Sequence, residues 1–226
     1  MKILAGVLWI LSAAMLASSA ARGESRTVET PRFQIEIQAA GEGSPKYTVT
    51  NLSGKTITAC VMELSSSSQS VRKSETVWDA LLQEVPPIEP GASISQYLSH
   101  VVGGPLPDRV EVVAGVWADG ETFGEARWVN IILKSREMRA IEYDQTAAML
   151  QQGLDQNWTC DRYLQALGSK PNSGPIRAVR ATLIANRQSG EKPEFLRRLV
   201  QTMRDSLAEK SGQLRKAEPA SVATPH

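Results

Sequence analysis

The 226-residue chain predicts an antiparallel β-sandwich followed by a C-terminal helical region. Three observations predict it. Apolar and polar residues alternate with a period of two over much of residues 33–133. Turn clusters punctuate that stretch at short, regular intervals. Beyond Ser135 the apolar period lengthens toward 3.6, the spacing of one helix face.

The strands come in order. Phe33, Ile35 and Ile37 alternate with Gln34, Glu36 and Gln38, as in a half-buried strand. Residues 41–45 are a Gly/Pro turn, after which Tyr47 and Val49 alternate with threonines. In the next strand Ile57, Ala59, Val61 and Glu63 share one face, and Thr58, Cys60, Met62 and Leu64 the other. It is apolar on both faces toward its end, which places it centrally. A serine-rich run at 65–70 is a low-complexity loop. Residues 76–85 fit either a short helix or an irregular strand. Ile94 with Tyr97 or Leu98 forms another strand, and residues 100–107 a Gly/Pro-rich link. Val110, Val112, Ala114 and Val116 line one face of a strand that enters a hairpin at Asp119-Gly120, a pair suited to a type I′ turn. The return strand is expected from Phe123 to Leu133.

The helical region is expected over 136–216, behind a sandwich at 32–135. Tyr143, Ala147, Leu150 and Leu154 share one helical face. Tyr163, Leu164 and Leu167 make a shorter segment. Pro175 and Pro193 sit where helices start, because a first-turn proline loses no needed hydrogen bond. Leu196, Leu199, Val200, Met203 and Leu207 line the last helix, with arginines facing outward. Residues 217–226 have the composition of a disordered tail.

Residues 1–21 have the three parts of a secretory signal: Lys2, an apolar run over 3–16, and small residues before a cut after Ala20 or Ala21. The expected location is therefore secreted or periplasmic. A net charge of +1 argues against nucleic acid as a partner. Charge is uneven: residues 32–135 hold 8 basic and 12 acidic residues, and 136–226 hold 14 and 10. Cys60 and Cys160 can pair in an oxidising compartment, or remain two separate buried thiols. An unstrained bridge closing about 100 residues would stabilise by roughly 4–5 kcal/mol.

Residues 47–59, with Asn51, Ser53 and Gly54 at the turn, and residues 87–94, with Pro90-Gly91, resemble the early and middle strands of bacterial secreted Ig-like accessory domains. The resemblance covers about 33–133. It implies an Ig-like sandwich and a habit of binding, and it implies no substrate. The antibody-type Cys…Trp…Cys arrangement is absent, since Cys160 lies beyond the strand region.

No catalytic constellation stands out. His100 and His226 are the only histidines, and no Gly-x-Ser-x-Gly elbow accompanies Ser99, His100 and Asp108. The acid pairs Glu84 with Glu89 and Asp108 with Asp119 are ordinary loop acids. Asp119 and Glu121 alone fall short of a calcium site, so neither metal nor cofactor is expected. Trp78 and Trp117 are the candidate interaction anchors, with Trp128 and Trp158 also in the mature chain and Trp128 read as core. Asn51 and Asn157 fit the glycan-acceptor pattern. The arginines of the last helix read as a solvated face rather than a membrane contact. The function expected is a non-catalytic module contacting a protein partner in the envelope or outside the cell. The alternatives are a secreted hydrolase and an envelope structural protein with a membrane-surface helix.

Overall fold

The computed structural model describes residues 25–38, 46–65, 74–97, 107, 109–189 and 192–217. The expected signal sequence, the 41–45 turn, residues 66–70 of the serine-rich run, His100, Asp108 and His226 lie outside the described residues.

Among the described residues, two four-stranded antiparallel sheets and five helices make up the fold. The first sheet orders β1 (Ser25–Glu29), β2 (Phe33–Gln38), β3 (Lys46–Asn51) and β6 (Ser93–Tyr97) side by side. The second orders β5 (Ser74–Asp79), β4 (Ile57–Ser65), β7 (Arg109–Trp117) and β8 (Thr122–Gly124). Their inner faces share one core, in which Phe33, Ile35, Ile37, Tyr47 and Val49 meet Cys60, Met62, Trp78, Val110 and Trp117. Each fully buried aliphatic side chain there contributes about 1.5–3 kcal/mol relative to exposure. The alternation over 33–38 and 46–51 is realised as expected, with Ile35 opposite Val49 and Ile37 opposite Tyr47.

Strand β4 departs from a simple alternation. Its register against β7 slips between Ile57 and Ala59. The extra residue of such a bulge turns the chain over. Ile57 therefore joins Cys60, Met62 and Leu64 in the inter-sheet core, while Ala59 and Val61 face the other way.

The hairpin and its return strand also differ from expectation. Gly120 donates to the Trp117 carbonyl at 3.1 Å, and Trp117 donates to the Glu121 carbonyl at 2.9 Å. Only Gly120 of the loop has a positive φ, at 85°. The loop is thus three residues long, a type I turn followed by a left-handed glycine. The return strand stops at Gly124, and a 30-residue helix, α2 (Ala126–Asp155), begins at once. The change of element therefore comes at residues 124–126 rather than at Ser135. At 1.5 Å per residue α2 is about 45 Å long. Its first half covers the outer face of the second sheet, where Ile132 packs on Ala59, Val61 and Val116.

The second half of α2 is the spine of the helical part. Tyr143, Ala147, Leu150 and Leu154 form a common core with α3 (Cys160–Gly168), α4 (Gly174–Ser189) and α5 (Pro193–Lys216). Val200 and Leu207 of α5 join them, as the apolar stripe predicts, and Leu214 extends that stripe beyond the expected residues. Residues 76–85 resolve into both alternatives, since β5 ends at Asp79 and α1 (Ala80–Gln83) follows. Leu81 and Leu82 of α1 pack into the helical core, so α1 joins strands to helices. Among the described residues no helix is long and apolar enough to cross a membrane.

Candidate functional site

The side chains singled out in the sequence do not converge. Trp78 and Trp117 are 3 % and 7 % exposed, both in the inter-sheet core, where Trp117 stacks at 4.5 Å on Phe123. Neither ring can anchor a partner, which corrects their reading as interaction residues. Cys60 and Cys160 are both free, one in the inter-sheet core and the other against the helical core. Of the two readings, the structure has separate thiols. Burial, with Asp79 adding to it, pushes the Cys60 thiol up to about 12, so it holds its proton and packs as an apolar group. Cys160 donates to the Leu183 carbonyl at 3.3 Å.

The acids are engaged one by one. Lys55 reaches Asp119 at 2.7 Å and Glu121 at 2.6 Å, so the hairpin acids hold an ammonium group. Glu89 accepts from Thr56. Glu84 accepts from Lys210 at 2.6 Å and from the Tyr143 hydroxyl at 3.3 Å. Among the described residues no three His, Cys, Asp or Glu side chains are grouped to hold a metal ion. Asn51 is fully buried and closes the turn after β3. Its amide donates to the Lys55 and Ile88 carbonyls, and its oxygen accepts from the Ser53 amide and hydroxyl. A glycan on that nitrogen would replace one of its two hydrogens, losing one of the donated bonds at a fully buried position. Asn157 is exposed, with φ at 51° and its oxygen held by Arg197 at 3.2 Å.

One buried ion pair fixes how the helices sit on the sheet. Arg136, with 0 % exposure, projects from α2 and donates to Asp79 at 2.8 and 3.3 Å and to Thr58 at 3.1 Å. Asp79 also accepts from the Leu81 and Leu82 amides at 3.0 and 3.2 Å, capping α1. One carboxylate thereby ties β5, α1 and α2 together. Neither charge reaches solvent, so the pair is a joint and not a reactive group.

The helices so placed leave a groove of about 890 Å³ along the outer side of α2. Its floor on α2 includes Met138, Ile141 and Met149, and Ile176 of α4 also lines it. Met138 is 52 % exposed and Ile141 37 %, although both are apolar. Trp158, in the turn between α2 and α3, forms one wall. Its indole donates to Gln156 at 2.8 Å and meets Tyr163 edge-on at 5.4 Å, while the Arg162 guanidinium lies 5.5 Å over the ring. Trp158 also lines a second, smaller cleft of about 480 Å³ with Cys160, Tyr163, Arg187 and Arg197. Trp158 is therefore shared by the two clefts.

Gly153 makes this geometry possible. A Cβ there would sit 2.1 Å from the Tyr163 ring. The missing Cβ lets the Tyr163 ring of α3 lie directly on α2, where Gly153 lines the smaller cleft. Burial pushes the Tyr163 phenol up to about 12, so that ring packs as a neutral group.

Comparison with protein-family models, curated proteins and solved structures gave no match. Sequence reasoning passed over Trp158, Met138 and Ile141. Met138 and Ile141 fall beside the buried stripe of Arg136, Ala140, Tyr143 and Ala147, one step around the helix. Apolar residues on the solvent side of an amphipathic helix were the available signal.

Proposed function

We propose that the chain is an exported, non-catalytic binding module, an Ig-like sandwich carrying a helical appendage that contacts a protein partner. The strand order supports the Ig-like assignment. Labelled in the immunoglobulin manner, β5-β4-β7-β8 runs as C′-C-F-G and β2-β3-β6 as A-B-E, with β1 added outside A. Export rests on the N-terminal signal pattern.

The observation that carries the binding role is the open α2 groove, with exposed Met138 and Ile141 beside Trp158. Grooves of this kind between helices are common seats for ligands and partner segments. The acid that lines it, Glu142, is paired with Arg139 at 3.2 Å, which leaves its carboxylate as part of the helix surface.

Site-specific photo-crosslinking in the native host tests the reading. A photoreactive residue at position 138 or 97 of the full-length chain is expected to give discrete adducts in the exported fraction. Position 97 samples the exposed Tyr97 at the end of β6. Recovery of the chain only in the cytoplasm, or no adduct at either position, would overturn it.

A further inference from the structure

We infer that the α2 groove receives one amphipathic helix, presented by a partner protein, with an apolar face and carboxylates along its flank. The inference rests on the binding role proposed above and names the chemistry of the occupant. Length, backbone chemistry and charge each restrict what fits.

From Met138 to Gln152 the groove follows α2 for about 21 Å at 1.5 Å per residue. That is about four turns of a facing helix. The floor offers Met138, Ile141 and Met149 to the occupant, and Ile176 adds to the apolar lining. Methionine side chains are unbranched and polarisable, so such a floor adapts to apolar knobs spaced three and four residues apart.

One long wall is α2, and the other combines α3 with the turn residue Trp158 and residues 169–173; within the helices the backbone N–H and C=O groups are bonded to each other. No sheet edge lines the groove. An extended peptide would therefore bury backbone groups that find no ladder to join, at a cost for each. A helix arrives with its own backbone hydrogen bonds already made. The side-chain amides at the rim, Gln145, Gln152 and Gln165, suit a polar flank better than a strand backbone.

Charge then selects the flank. Arg162 and Lys170 stand at the α3 side of the groove and have no carboxylate partner among the described residues. Among the described residues the Arg162 guanidinium meets Gln165, at 2.7 Å, and the Trp158 ring. The one acid lining the groove, Glu142, is held by Arg139 at 3.2 Å. A partner helix with Glu or Asp facing α3 would complement the two cations, and one with Lys or Arg there would be repelled.

The test is a displayed library of 18-residue helical peptides, screened on the purified mature chain. Leu, Met and Phe are fixed on one face, and the flanking positions are randomised between Glu and Lys. Selection is expected to enrich Glu, and a synthetic winner is expected to bind at least about tenfold more tightly than its Glu-to-Lys counterpart. Met138→Glu is expected to weaken binding at least about tenfold with an unchanged melting profile, since Met138 is half exposed. The double change Arg162→Glu and Lys170→Glu is expected to reverse the Glu-over-Lys preference. Failure to enrich any peptide, enrichment of Lys, or binding indifferent to Met138→Glu would overturn the inference. A concentration-dependent dimer abolished by Met138→Glu would also overturn it, by making a second copy the occupant. Crosslinked partner adducts at position 97 alone, with no peptide selected, would sink this inference and leave the broader binding role standing.

Discussion

Asp79→Ala is the sharpest test of how the helical part is held. Asp79 and Arg136 are 2 % and 0 % exposed, and the carboxylate accepts from both the guanidinium and two amides of α1. Removing the acid leaves the Arg136 charge buried without its counter-charge and leaves α1 without its cap. Breaking a buried pair costs about 3–5 kcal/mol, and a lost cap typically about 1 kcal/mol. The expected loss is about 4 kcal/mol, since part of the cost relaxes with local rearrangement. At this chain length that corresponds to a fall of roughly 8–16 °C in Tm. Arg136→Met is expected to cost about 3 kcal/mol, because the stranded carboxylate keeps its two amide donors. The double variant is the decisive one. With both charges gone no ion is buried unpaired, so it should cost no more than Asp79→Ala alone, which is a coupling of about 3 kcal/mol. Urea unfolding followed by circular dichroism and tryptophan fluorescence measures all three. The reasoning is refuted if Asp79→Ala costs less than about 1 kcal/mol, or if the two single losses simply add to within about 0.5 kcal/mol.

Two glycines should respond in opposite directions to alanine. Gly153→Ala drives a Cβ into the Tyr163 ring and is expected to destabilise by about 1–3 kcal/mol, whereas Gly212→Ala in α5 meets nothing within 4 Å and should stabilise by about 0.5–1 kcal/mol, both read as thermal shifts. The two thiols should differ in reactivity toward a disulfide reagent at pH 8. Cys160, partly exposed, should react first, and Cys60, buried with its thiol pushed up to about 12, only on unfolding; equal rates, or a non-reducing mass showing an intramolecular bridge, would contradict the structure. The Lys210 ammonium, which donates to it, holds the Glu84 carboxyl below its ordinary value of 4.5. A carboxylate lowered in the folded state contributes stability above its unfolded value and loses it as pH falls through the folded one. Glu84→Gln should thus flatten the acid limb of the stability curve below about pH 4.5, by less than about 1 kcal/mol because the pair is solvent-exposed.

Much of the strand region was legible because pleated backbone imposes a strict period of two. Phe33, Ile35 and Ile37, and likewise Tyr47 and Val49, lie where alternation put them. So does the helical stripe of Tyr143, Ala147, Leu150 and Leu154. The start of α2 was misread for a physical reason. Val129, Ile132, Arg136, Ala140 and Tyr143 are spaced as one buried helix face. A charged residue inside that stripe looks like solvent-facing sequence until its buried partner Asp79, 57 positions away, is known. The β-branched run Val129, Ile131 and Ile132 reads equally well as strand. The bulge at Thr58 is another case, because one extra residue inverts Ile57 without leaving a mark in composition.

The candidate site was less legible than the fold. Trp78, Trp117 and Trp158 are chemically the same side chain, and only the packing around each separates two core rings from one groove wall. By itself the sequence determined the local periods, the Asn51 turn and the helix starts at Pro175 and Pro193, because each of these is a property of neighbouring residues. The tertiary structure alone decided where α2 begins, which charges are buried together and which apolar side chains stay in water. Those depend on which faces meet, and faces meet between residues tens of positions apart, where no local pattern records the pairing.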